Sequence, residues 1–135
     1  ANNRVIRWTG PFTTNQAADL VLGQSALNRK TTDSGGLALT SLDSPTAVWA
    51  TTTHLAVADA ANHRILIWNA LPTTTQESAS NALGQLSGTV GESANMGMAG
   101  PSADSLNSPQ GVFLDTFGVI ISDTTNNRII RWPVP

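Results

Sequence analysis

Short apolar runs rich in β-branched residues, each bounded by turn-forming residues, punctuate the chain. Gly111-Val112-Phe113-Leu114, Val119-Ile120-Ile121 and Arg128-Ile129-Ile130-Arg131-Trp132 read as three strands, with Gly118 and then Asp123 to Asn127 supplying the turns. Connections this short make neighbouring strands antiparallel, so the stretch predicts a meander. Asp19-Leu20-Val21-Leu22 predicts a fourth strand in an earlier unit, and its counterpart around Ala82-Leu83 is shorter. Apolar and polar residues do not alternate strictly along these runs, so both faces of each small sheet are expected to be buried. A strand with one face in water would carry a polar residue at every second place.

The pattern is duplicated. Ser41-Leu42-Asp43-Ser44-Pro45 returns as Ser105-Leu106-Asn107-Ser108-Pro109, and the same spacing of 64 residues carries Asp59 onto Asp123, Asn62 onto Asn126, Arg64 onto Arg128 and Trp68 onto Trp132. A partial copy precedes both. Asn2 to Trp8 matches Asn62 to Trp68 at a spacing of 60, and Leu22-Gly23-Gln24 matches Leu83-Gly84-Gln85 at 61. Repetition of small sheets buried on both faces points to the blades of a β-propeller. The predicted fold is therefore all-β, built of four-stranded antiparallel meanders, with two blades' worth per chain. Residues 1–24 are expected to form the third and fourth strands of a blade, 25–40 a linker, 41–85 a complete blade, 86–104 a second linker, and 105–135 the first three strands of a further blade. Propellers close with about four to eight blades. Two would leave apolar faces in water, which predicts either a ring of copies, three chains giving six blades, or further blades from a longer chain. The start at Ala1, without a methionine, fits a processed protein and a piece of a longer one equally.

The stretch Ser108-Pro109-Gln110-Gly111-Val112-Phe113-Leu114-Asp115, continued by Gly118-Val119-Ile120-Ile121-Ser122-Asp123 and by Asn126-Asn127-Arg128-Ile129-Ile130-Arg131-Trp132, resembles an NHL repeat. The earlier unit departs from it, with Ala47 in place of Gly111, Thr51 of Asp115, His54 of Gly118 and His63 of Asn127. The resemblance covers both units and the N-terminal part-repeat but neither linker. It implies a propeller that serves as an interaction platform.

Composition narrows the partners. Charged residues make up 12% of the chain and the net charge is −2, with Lys30 the single lysine, so nothing marks a surface that would neutralise a phosphate backbone. Nucleic acid is not an expected partner. Cysteine is absent, which removes disulfides, thiolate chemistry and cysteine-based metal sites. Apolar runs are strand-sized, well below the roughly 18 residues of a membrane span, so no membrane insertion is expected. Low lysine with abundant Thr and Asn is compatible with an extracellular or periplasmic setting.

Candidate chemistry is sparse. Asp59, Asn62 and Arg64 recur as Asp123, Asn126 and Arg128, and recurrence in each unit points to a structural role, a carboxylate and an arginine fork fixing a hairpin. Trp68 and Trp132 recur likewise, as does Trp8, and are expected to pack between blades. Trp49, whose counterpart is Phe113, is a candidate for ligand contact, together with His54 and His63, the two histidines of the chain. Glu77 and Glu92 lie in loops without a partner at defined spacing. No nucleophile motif, acid–base pair or metal-ligating pattern is present, so neither a catalytic residue nor a cofactor nor a metal site is expected. The expected function is a non-enzymatic NHL-like binding or scaffolding module for protein or glycan. The alternatives are part of a propeller lyase or hydrolase with a channel metal, and a structural subunit of a surface layer or filament.

Overall fold

The structure, a computed structural model, describes residues 1–89 and 93–133 of the chain. It is all-β. Among the described residues, nine strands form three small antiparallel sheets in chain order. The first sheet pairs β1 (Val5–Arg7) with β2 (Leu20–Leu22). The second is a four-stranded meander of β3 (Pro45–Ala50), β4 (Leu55–Asp59), β5 (Arg64–Trp68) and β6 (Asn81–Leu83). The third has β7 (Gly111–Asp115), β8 (Gly118–Asp123) and β9 (Arg128–Trp132). Among the described residues no helix is long and apolar enough to cross a membrane.

Local chemistry sets the turns. Between β4 and β5, and again between β8 and β9, the chain makes one 3₁₀ turn, Ala60–Asn62 and Thr124–Asn126. Each turn ends on a left-handed residue, His63 and Asn127, both at φ 53°. Asn3 takes the same conformation at φ 50°, just before β1. Asparagine, aspartate and histidine populate this region several-fold more than other non-glycine residues, which suits all three to the position.

The second sheet is buried on both faces, and the direction of its side chains shows why strict alternation is missing from the sequence. Leu55 and Val57 of β4, with Leu66 and Trp68 of β5, pack on Leu20 and Leu22 of β2 and on Val5. Their neighbours Ala56, Ala58, Ile65 and Ile67 pack the other way, on Leu114, Val119 and Ile121 of the third sheet. All ten residues of β4 and β5 are buried. Each large aliphatic side chain so enclosed contributes roughly 1.5–3 kcal/mol.

The two junctions have the same polarity. In the third sheet, Val119, Ile121, Ile130 and Trp132 face the second sheet. These are the counterparts of Leu55, Val57, Leu66 and Trp68, which face the first. The second sheet thus turns one face to its predecessor and the opposite face to its successor. Linking the sheets, Gly23 bridges Ser41 and Gly84 bridges Ser105, in both cases as isolated parallel bridges.

The flanking sheets are less complete. In the third sheet, Phe113 is 41% exposed beside Trp49, and Ile129 is 69% exposed. At the other end, Val48 of β3 is 51% exposed, beside a mainly apolar cavity of about 270 Å³ that runs along the free edge of β1.

Candidate functional site

The recurrent Asp, Asn and Arg form one device, built twice. Asp59 accepts the Asp43 N–H through Oδ1 at 2.7 Å, and through Oδ2 accepts Asn62 Nδ2 at 2.9 Å and Arg64 Nε at 2.7 Å. Asp123 accepts the Asn107 N–H, Asn126 Nδ2 and Arg128 Nε in the same way. The arginine reaches on into the linker. Arg64 Nη2 donates to the carbonyls of Ala38 and Ser41, and Arg128 Nη2 to those of Ser102 and Ser105. Asn62 and Asn126 also donate to Asp33 and Asn95, residues of the two linkers. Each linker is therefore pinned beneath its hairpin.

These groups are occupied by structure. The Asp59 and Arg64 side chains are 0% and 1% exposed. Burial raises the Asp59 carboxyl above its ordinary value, and the Arg64 charge, the Asn62 amide and the Asp43 N–H oppose the rise. With its oxygens bonded and no route to solvent, this carboxylate is not presented to a ligand.

A second set of recurring contacts lies outside the motif that the sequence singles out. Gln24 Nε2 donates to the carbonyls of Asn3 and Thr31, and Gln85 Nε2 to those of His63 and Ser93. Trp8 Nε1 donates to the Gln16 carbonyl and Trp68 Nε1 to that of Glu77. Asn3 Oδ1 accepts the Ser44 N–H, and His63 Nδ1 accepts that of Ser108, both at 2.9 Å. The signal for all of these was recurrence alone, since the Leu-Gly-Gln and Asn-x-Arg segments repeat with nearly the same spacing as the strands.

The three candidate contact residues separate. His63 is half-buried at the junction of the second and third sheets. Burial lowers its pKa and the charge of Asp123 acts against that shift. Trp49 lies at the same junction, where its Nε1 donates to the Leu114 carbonyl at 2.9 Å and its ring meets Phe113 at 4.6 Å between centroids, tilted by 48°. It is 40% exposed, so part of the indole stays open to solvent. His54 ends the β3–β4 turn, with Nδ1 against Thr53 Oγ1 at 2.8 Å. The five residues of β4 stand between His54 and the turn that carries His63, roughly 17 Å of extended chain, so the two imidazoles do not meet.

His54 instead joins an opening near the junction. A cleft of about 440 Å³ lies between the β3–β4 turn, with Thr51, Thr52, Thr53 and His54, and the end of β7 with the start of its turn, Leu114, Asp115 and Thr116. Both turns are held by one side chain. Asp115 Oδ1 accepts the N–H groups of Phe117 and Gly118, and Thr51 Oγ1 accepts those of Thr53 and His54. Threonine thus does at position 51 what aspartate does at 115, without the charge. The remaining threonines bring hydroxyls that can both donate and accept.

Among the described residues no three His, Asp or Glu side chains stand close enough together to hold a metal ion. Glu77 caps its own loop. The N–H groups of Thr73 and Thr74 bond its Oε2 and keep its carboxyl below its ordinary value. Glu92 lies outside the described residues. No protein-family model matches the chain, and no curated protein matches it.

Proposed function

We propose that the chain is a unit of an NHL-like β-propeller and acts as a non-enzymatic binding or scaffolding module. The observation that carries this reading is the second sheet, a four-stranded meander enclosed on both faces by sheets stacked with the same polarity. Propellers are built by such radial repetition. Partly bare apolar faces at Val48 and at Phe113 and Ile129 call for further blades, from copies of the chain or from a longer one. Three copies would give six blades.

The ligand surface in this reading is the cleft between the β3–β4 and β7–β8 turns. Hydroxyls of Thr52 and Thr116 with the imidazole of His54 suit a protein loop or a glycan, ligands rich in hydrogen-bonding groups. The low lysine content accords with an extracellular or periplasmic setting. The test is binding of the full chain to a glycan array and to immobilised protein ligands, followed by titration of a Thr52→Val/Thr116→Val variant. Binding that weakens about tenfold in the variant supports the cleft, since two neutral hydrogen bonds are worth about 1–3 kcal/mol. Binding by neither screen, or binding indifferent to the variant, overturns it.

A further inference from the structure

The segments Asn2-Asn3-Arg4-Val5-Ile6-Arg7-Trp8 and Asn126-Asn127-Arg128-Ile129-Ile130-Arg131-Trp132 differ at one position, Val5 against Ile129. The intervening copy, Asn62-His63-Arg64-Ile65-Leu66-Ile67-Trp68, differs from the first at four. Strands β1 and β9 are therefore closer to each other than either is to β5, which holds the same place in the second sheet.

Their surroundings are complementary. Strand β1 pairs with β2 alone and β9 with β8 alone, whereas β5 has a partner on each side. What β1 lacks is an inner neighbour, and what β9 lacks is an outer one. The side chains follow the same division. On the β1 segment, Asn3 accepts the Ser44 N–H, Arg4 donates to the carbonyls of Leu27 and Arg29, Arg7 pairs with Asp19 and the Pro72 carbonyl, and Trp8 donates to the Gln16 carbonyl. The matching polar groups of Asn127, Arg131 and Trp132 make no such hydrogen bonds among the described residues.

We infer that β9 of one copy takes the place of β1 in the next copy and pairs there with β2. This rests on the propeller reading above. The strands β7, β8 and β9, with β2 of the second copy, then form a four-stranded meander in the order seen in β3 to β6. The exchange is like for like: Asn127, Arg128, Arg131 and Trp132 inherit the partners of Asn3, Arg4, Arg7 and Trp8. It also covers the bare surfaces together. Strands β7 and β8 arrive with β9 and occupy the cavity beside β1, laying Phe113 and Ile120 over Val48, Ala50 and Leu55. Within one chain, Trp49 and Ala56, the residues at the same places in the second sheet, meet the third sheet in this manner. Ile129 replaces Val5 against the core of the neighbouring copy.

Two measurements on the full chain test the exchange. Ile6 and Val21 are cross-strand partners in the β1–β2 pair, and no native cysteine interferes. In a Val21→Cys/Ile130→Cys protein, oxidation should give covalent multiples of the 14.1 kDa chain that reduction dissolves. An Ile6→Cys/Val21→Cys protein should stay uncrosslinked in the assembly. Because Val21 is buried, a surface pair serves as the independent check. Arg131→Glu should weaken association about tenfold while Arg7→Glu leaves it unchanged, and Arg131→Glu/Asp19→Arg should restore it. An oligomer that forms only the Ile6 to Val21 bond, or responds equally to both arginine changes, overturns the exchange and leaves a propeller of copies standing. A folded monomer by sedimentation overturns both.

Discussion

His63 accepts the backbone N–H of Ser108 through Nδ1 at 2.9 Å, in the place where Asn3 accepts the N–H of Ser44. Acceptor and donor belong to successive sheets, so one imidazole helps hold a junction. Burial lowers the His63 pKa below the ordinary 6.5, while the unfolded chain titrates near that value. Below about pH 6.5 the unfolded state therefore binds the proton more readily, and this contribution to stability, complete above that pH, falls as the solution is acidified. His63→Asn keeps an acceptor in place, as at Asn3, and removes the titration. Thermal unfolding across this range should show a shallower acid loss in the variant, and an unchanged slope would refute the assignment.

The two arginines of the repeated device should differ in worth. Arg64→Met leaves the Asp59 carboxylate and the carbonyls of Ala38, Ser41 and Gly88 without their donor inside the protein, at a cost of about 3–5 kcal/mol. The Arg128 side chain is 27% exposed, so water can take over part of its role and Arg128→Met should cost about 1–3 kcal/mol. Urea denaturation of both variants measures the gap. Equal losses would mean that burial is not what distinguishes them.

Gly84 sits at φ +94°, and a Cβ there would come within 2.5 Å of the Leu106 side chain, which is fully buried. Gly84→Ala combines backbone strain with overpacking and should destabilise by about 2–4 kcal/mol. Gly35 has a similar φ of +87° but open space around it, so Gly35→Ala should lose only about 1 kcal/mol. Midpoints in a denaturant series compare the two.

Trp49→Ala removes the bond to the Leu114 carbonyl and the contact with Phe113, and should cost about 2 kcal/mol. Trp49→Phe retains a ring beside Phe113 and should lose about 1 kcal/mol. If Trp49 serves the junction alone, ligand affinity stays level across both variants once folded protein is compared. A loss of affinity without a loss of stability would assign the indole to the ligand.

The strands were legible because their apolar runs are short, rich in Val, Ile and Leu, and separated by glycine and Asp-x-x-Asn turns. The two-sided burial of β4 and β5 was legible for a related reason. Leu55 to Ala58 and Ile65 to Trp68 contain no polar residue, which only a strand without a solvent face can bear. The contacts between sheets were hidden. Gln24, Gln85, His63 and Trp49 all bond backbone atoms of distant segments, and a backbone atom has no residue identity for the sequence to display. The cleft was hidden likewise, because Thr51 to His54 and Asp115 to Thr116 meet only after two sheets have stacked. Trp8 shows the converse. It shares the indole bond of Trp68 yet is 42% exposed, because no sheet lies on its side.

The uniform polarity of the two junctions bears on how such a chain changes over generations. Stability in repeat architectures is close to a sum of unit and nearest-neighbour terms. Where every boundary joins the same two surfaces, duplicating or losing a unit creates no boundary that selection has not already refined. Copy number can then drift by recombination while the contacts between units stay fixed. Residues that only shape their own turn, as Thr51 and Asp115 do through bonds to the N–H groups that follow them, are left free to differ from one unit to the next.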